Sequence, residues 1–361
     1  MHASSLIRQL QILFPHLTVK GIGGQFLKAA GTELLFDKST VNYIGFSAVI
    51  RNIKKLKSII NRTSEFILEY EPDVLILVDF PGFNLKIASG IRKNFKGKIV
   101  YYISPQLWAW HKSRVKIIQR CIDLMIVVFP FEVDFYRNEN VKAEFAGHPL
   151  IKRIDSFLSA NKKMKNDKAA ISFMPGSRKD EIRLILPEMV KTADLFLNEI
   201  DCNINIICSD NFDISYYKPF IKNRKFNLVI SEGNDDINYK TILNSDLVIT
   251  KSGTSTMECA LIGTPFCVVY KTGALNYAIG KRLIKVDHIA MINILLKRSA
   301  VKEFLQEKME PVKIFEEGRK ILADREYRLK LLEDFKELRR VLTDKDSAEN
   351  AALMISELMK Q

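Results

Sequence analysis

Apolar residues recur at three-and-four spacing over 6–14 and 50–70, which predicts helices, while 74–78 and 98–103 are short, nearly continuous apolar runs that read as buried strands. This alternation of strand and helix builds a doubly wound parallel sheet. A polar stretch rich in Lys and Asn over 159–168 interrupts it and reads as a linker. Alternation resumes with strands expected at 169–174, 203–208, 227–230, 247–250 and 265–270. Beyond Val286 the pattern turns helical, over 289–296, 301–308, 325–343 and 347–359. The expected organisation is α/β: a Rossmann-like domain over 1–158, the linker over 159–168, a second Rossmann-like domain over 169–342, and a last helix over 343–361 that crosses back to the first domain.

Length agrees with this division, because 361 residues exceed what one core usually supports and two domains of about 150 residues are the default. The excess of 55 Lys and Arg over 42 Asp and Glu, a net charge of +13, favours nucleic acid, phosphorylated substrates or an anionic membrane surface. No apolar run approaches the roughly 18 residues that span a bilayer, and the opening Met1-His2-Ala3 lacks the pattern of a signal peptide. A cytoplasmic protein lying against a membrane is expected. Five cysteines without a Cys-x-x-Cys pair argue against zinc. The lone Asp-x-Asp, Asp344-Lys345-Asp346, reads as a charged, solvated loop, so neither metal nor cofactor is expected.

Chemistry concentrates at strand ends. The run 169–174 leads into Pro175-Gly176-Ser177-Arg178 before a helix; a glycine there lets backbone amides approach a phosphate, and Arg178 can grip two of its oxygens. An ordinary strand-to-helix turn with a solvated arginine fits this motif equally well when it is taken alone. Strand 247–250 repeats the logic with Ser252, Gly253 and Thr254, and Glu258 one turn on can take both ribose hydroxyls. Thr254 and Ser255 as mere helix caps are the competing reading. Two such turns in one domain describe a nucleotide-sugar site. In the first half, strand 74–78 is too apolar to face water on either side yet ends in Asp79, where a general base belongs. A loop acid is the plainer alternative. His148, before the linker, and Gln106, in the aromatic run 101–110, are candidates to line the cleft. Structural packing explains a single histidine or tryptophan as well, and nucleic-acid binding ranks below it.

Taken together, Gly21-Ile22-Gly23-Gly24, 78–85, 102–110, Phe129-Pro130-Phe131-Glu132, Gly147-His148-Pro149-Leu150, Met174-Pro175-Gly176-Ser177-Arg178, Ser252-Gly253-Thr254 with Glu258, and 289–293 with Val301-Lys302-Glu303 resemble lipid-A-disaccharide synthases, in order and spacing across nearly the whole chain. The resemblance implies the GT-B fold, two Rossmann-like domains facing an interdomain cleft. It also implies an inverting, metal-independent transfer from UDP-2,3-diacylglucosamine to 2,3-diacylglucosamine 1-phosphate, giving the β-1,6 lipid A disaccharide 1-phosphate and UDP. Asp79 takes the position of the family's essential aspartate, Arg178 that of its active-site arginine, and Asn293 that of an asparagine near the site. The implied partners are the UDP-sugar donor, the acylated glucosamine 1-phosphate acceptor and the anionic inner-membrane surface, without nucleic acid. Another GT-B transferase, a sugar epimerase or a non-catalytic nucleotide-sugar-binding protein remain as alternatives. Acyl-chain length and oligomeric state stay open.

Two further expectations concern the first domain. Phe46, Val49, Ile50, Ile53 and Ile60 fall at helical spacing beside Arg51, Lys54, Lys55 and Lys57, a pattern that suits membrane contact or packing on a sheet. Family members open on a strand and a Gly-rich loop, of which Met1-His2-Ala3 resembles only the end. A start upstream of Met1, or an impaired protein, is therefore expected, with strand edges left unpaired.

Overall fold

Short aliphatic runs bounded by turns become strands, and amphipathic runs become the helices that cover them. The computed structural model describes residues 2–37, 53–109, 112–273, 277, 287–343 and 345–360. It divides into two units, Met1–Pro149 with Asp344–Gln361, and Leu150–Thr343. The division falls ahead of the polar stretch expected as a linker, because Leu150–Ala160 is a helix whose Leu150, Ile151, Ile154 and Phe157 are buried in the second unit.

In the first unit, helix His2–Leu13 precedes β1 (Lys20–Gly23) and β2 (Glu33–Asp37), which pair in parallel with each other. Helix Ile53–Tyr70 leads to β3 (Val74–Val78), β4 (Lys98–Tyr102), β5 (Leu124–Val127) and β6 (Ala143–Phe145), a parallel sheet in that order. Ile99, Tyr101, Met125 and Val127 pack there against Ile87, Ala88, Ile91 and Ile118. Each such aliphatic side chain contributes about 1.5–3 kcal/mol on burial.

β3 departs from the expectation that it is covered on both sides. It is an edge strand in which Leu77 alone is fully buried, and its residues line a cavity of about 290 Å³ shared with Gly21 and Ile22 of β1. The segment proposed for membrane contact lies largely outside the described residues, which resume at the helix Ile53–Tyr70. Among the described residues no helix is long and apolar enough to cross a membrane.

Helix Ser347–Met359 belongs to the first unit, where Ser347 Oγ lies 3.0 Å from the Tyr102 hydroxyl and Asn350 donates to the Ala146 carbonyl. Asp346, expected in a solvated loop, instead caps this helix by accepting from the amides of Ala348 and Glu349. Asp344 lies outside the described residues.

The second unit holds β7 (Ala169–Met174), β8 (Cys202–Cys208), β9 (Asn227–Ile230), β10 (Leu247–Lys251), β11 (Phe266–Tyr270) and β12 (Glu303–Leu305), all parallel, in the order β12-β11-β10-β7-β8-β9. β7 and β10 are central neighbours, with Met174 opposite Thr250, so their carboxyl ends bring two glycine turns side by side. The expected helix over 301–308 is not formed. Val301, Phe304 and Leu305 suit a helix locally, but pairing of Glu303–Leu305 with Val268–Tyr270 gives their backbone ladder partners that a helix would forgo.

Candidate active site

Asp79 follows directly on β3 and is exposed at the carboxyl edge of its sheet. Its backbone is left-handed, with φ 47°, and Phe80 follows at φ 44°, before Pro81 opens the next helix. Two consecutive non-glycine residues in this region are strained, by about 1–3 kcal/mol each, unless the surroundings hold them. Here the Asp79 carbonyl accepts from Asn84 Nδ2 and from the Tyr101 hydroxyl, each at 2.6 Å, and Asn84 also donates to the Val78 carbonyl at 3.1 Å. Tyr101 is fully buried, and burial together with the Asp79 charge raises its phenol far above the ordinary value.

The clamp predicts that Tyr101→Phe lowers turnover about tenfold, since one hydrogen bond no longer opposes the strain, while leaving both substrates' KM near normal. The decisive comparison is the same substitution made in an Asp79→Asn background. There it should cost nothing further; an equal loss in both backgrounds would assign Tyr101 to general packing.

Gln106 is exposed in the turn after β4. Trp108, two residues on, donates from Nε1 to Glu132 Oε1 at 3.1 Å, and the Phe129 amide approaches Oε2 at 3.3 Å. His148 is buried against the Phe129 ring, and desolvation pulls its imidazole down to about 3, so it is neutral at physiological pH. Trp110 and His111 lie outside the described residues.

Burial pushes the Glu132 carboxyl up from 4.5 to about 7. Between those values the unfolded chain has released the proton and the folded protein has not, so the part of the stability linked to Glu132 is full below pH 4.5 and is lost as pH rises through 7. The loss is on the order of 3 kcal/mol. Calorimetric melting of wild type and Glu132→Gln across pH 5–8 should show the difference between them moving in favour of Gln by roughly several degrees toward pH 8. A pH-independent difference would contradict the assignment.

In the second unit, Gly176 has φ 107° and sits between β7 and helix Lys179–Glu199. Ser177 and Arg178 are exposed; the Ser177 carbonyl accepts from Asn211 Nδ2, and Arg178 Nη1 lies 3.3 Å from Glu181 Oε1. After β10, Gly253 is the N-cap of helix Thr254–Ile262, so no side chain of the capping residue covers the first amides. Neither Thr254 nor Ser255 is that cap: Ser255 Oγ lies 2.7 Å from Thr250 Oγ1. Ser252 Oγ donates to the Ile289 carbonyl at 2.8 Å and ties this turn to the 287–290 segment.

Glu258, one turn along, accepts from the Tyr239 hydroxyl at 3.3 Å, and burial raises its carboxyl to about 7 against the opposing pull of Arg153. Asn293 is fully buried: its amide donates to Val301 and Glu303 and its oxygen accepts from the Val301 amide. It is a brace, which with Glu303 holds the Ile289 and Ala290 amides beside Ser252.

Residues 1–356 match the family model described as lipid-A-disaccharide synthetase. The chain belongs to this family. The lipid-A-disaccharide synthase of Syntrophus aciditrophicus is 33% identical over 369 residues, covering 100% of this chain and 95% of its own length. Lipid-A-disaccharide synthase 1 of Legionella pneumophila (strain Lens) is 34% identical, with 84% and 80% covered.

The lipid-A-disaccharide synthases are glycosyltransferases, and the protein is an enzyme of that class in lipid A biosynthesis. Among solved structures, the UDP-GlcNAc 2-epimerase of Neisseria meningitidis bound to UDP-GlcNAc superposes with a TM-score of 0.61 at 11% identity, covering 96% of this chain and all of that one. The calicheamicin glycosyltransferase CalG4 also gives 0.61, at 13% identity, with 99% and 94% covered. At such identities the likeness shows the fold, the GT-B plan expected of a synthase.

Several residues that shape these turns escaped the motif reading of this synthase. Asn84 and Tyr101 lie in the runs 78–85 and 101–110, but nothing local says that their side chains converge on one carbonyl. Glu181 stands three positions after Arg178, a spacing that on a helix allows contact. Lys251 immediately precedes Ser252, yet its partner, Glu181, is distant in sequence.

Proposed function

We propose that the enzyme transfers the 2,3-diacylated glucosamine of its UDP-sugar to the 6-hydroxyl of 2,3-diacylglucosamine 1-phosphate, with inversion and without a metal. The observation that carries this reading is Asp79, an exposed acid whose strained backbone is clamped at the end of β3 in a chain of this family. Strain of this kind persists where the direction of a side chain matters.

In this reading Asp79 accepts the proton of the acceptor's attacking hydroxyl while the hydroxyl oxygen forms a bond to the donor's anomeric carbon. The bond from that carbon to the diphosphate oxygen breaks on the opposite face, and UDP leaves with the electron pair. Arg178 offsets the charge gathering on the diphosphate, together with the amides of Gly176, Ser177, Gly253 and Thr254, while Ser252, its amide given to the Val269 carbonyl, holds the second turn in place. Glu258 takes the ribose hydroxyls, and Asn293 keeps the 287–290 segment in place. Gln106 and His148 serve the acceptor side. The net charge of +13 draws the protein to an anionic membrane, the cytoplasmic face of the inner membrane, where both acylated substrates reside.

The test is release of UDP from UDP-2,3-diacylglucosamine with and without the acylated glucosamine 1-phosphate, with the product's anomeric configuration read by NMR. Release that depends on acceptor and yields a β-linkage supports the proposal. Hydrolysis independent of acceptor, an α-product, or binding without release would overturn it.

A further inference from the structure

Lys251 closes β10 and lies between the two glycine turns. A methyl group built on Gly176 would stand 3.4 Å from Lys251 Cδ, and one built on Gly253 would stand 3.7 Å from its Nζ. The ammonium is thus delivered to the place where both turns open. At rest it is ion-paired with Glu181, Nζ to Oε1 at 3.0 Å, and the two side chains are only 18% and 11% exposed. Arg178 Nη1 approaches the same oxygen at 3.3 Å. The other oxygen, Glu181 Oε2, is buried and meets no hydrogen-bond partner among the described residues.

That arrangement is a poor way to hold a fold together. A largely buried ion pair roughly breaks even against a well-packed apolar pair, and an unsatisfied carboxylate oxygen adds a cost of about 1–3 kcal/mol. Two cations share one oxygen while the second oxygen has none, so the cluster is under-neutralised on the cationic side and poised to exchange partners. The Tyr270 ring, its centroid 5.7 Å from Lys251 Nζ, flanks the ammonium.

We propose that Lys251 is a binding residue for the donor's diphosphate, and that Glu181 is its resting counter-ion. On binding, Lys251 and Arg178 exchange the shared carboxylate oxygen for phosphate oxygens. Glu181 keeps both cations directed at the turns when no nucleotide is bound, and its own charge opposes the phosphates. The proposal rests on the reading that the Gly176 and Gly253 turns receive the nucleotide diphosphate.

Calorimetric titration of UDP and of uridine into wild type, Lys251→Met, Glu181→Gln and the double variant separates the alternatives. Lys251→Met should weaken UDP about tenfold or more and leave uridine unchanged, because only the diphosphate carries the charge it meets. Glu181→Gln should tighten UDP severalfold, since a competing and repelling carboxylate is gone. The double variant leaves no buried charge unpaired, since Arg178, which loses its partner, is solvent-exposed, and it therefore folds even if Lys251→Met does not; it should bind UDP more weakly than Glu181→Gln alone. UDP affinity unaffected by losing Lys251, or UDP and uridine weakened alike by both single substitutions, would reduce the pair to a structural ion pair. Wild type binding UDP no better than uridine would overturn the underlying site reading, and that result is visible without any variant.

Discussion

Asp79→Asn is expected to fold normally, bind UDP as wild type does, and lose about 10²-fold or more in kcat. The substitution is unusually clean at this position. Asparagine tolerates the left-handed backbone as well as aspartate does, so the φ of 47° adds no new strain. The contacts that hold the turn, from Asn84 and Tyr101, end on the main-chain carbonyl and are untouched by a change in the side chain. The side chain itself is exposed, so the melting temperature should hold. What the amide cannot do is accept the acceptor's proton. Steady-state kinetics with UDP titration and a melting curve check the three expectations together. Turnover near wild type would remove Asp79 from the mechanism, whereas lost UDP binding would point to a disturbed fold.

Gly176→Ala should combine a large loss of stability at the turn after β7 with a rise of about tenfold or more in donor KM. At φ 107° a side chain is strained whatever the space around it, costing about 1–3 kcal/mol. Space is also lacking, because the added methyl carbon would fall 2.7 Å from Glu181 Oε2 and 3.4 Å from Lys251 Cδ. Relief requires Glu181 to move, which displaces the partner of both Lys251 and Arg178. Gly82→Ala is the matched control: nothing lies within 4 Å of the position its methyl group would take, and its φ is outside the strained range. That variant should melt and turn over like wild type. An unchanged donor KM in Gly176→Ala would mean that the turn does not meet the nucleotide.

The sequence by itself determined the α/β class, the strands β7, β8, β9, β10 and β11 to within a residue or so, and the positions of Asp79, Gly176 and Gly253 at strand ends. Each of these is a local property. A largely aliphatic run such as 247–250 has few other stable fates in a chain this apolar, and a glycine shortly after it, Gly253, marks a turn. Tertiary structure alone decided that 303–305 is a strand, because the choice lay with an unpaired ladder on β11 rather than with the spacing of Val301, Phe304 and Leu305. It placed helix Leu150–Ala160 in the second unit through burial of one face, which the Lys/Asn-rich stretch after it could not reveal. It also opened β3 to a cavity and seated Tyr101 and Asn84 on the Asp79 carbonyl, and it set Glu181 between Lys251 and Arg178. Periodicity records which face of an element is apolar, but which distant side chains meet is fixed by packing and register, and these join residues that the linear pattern leaves independent.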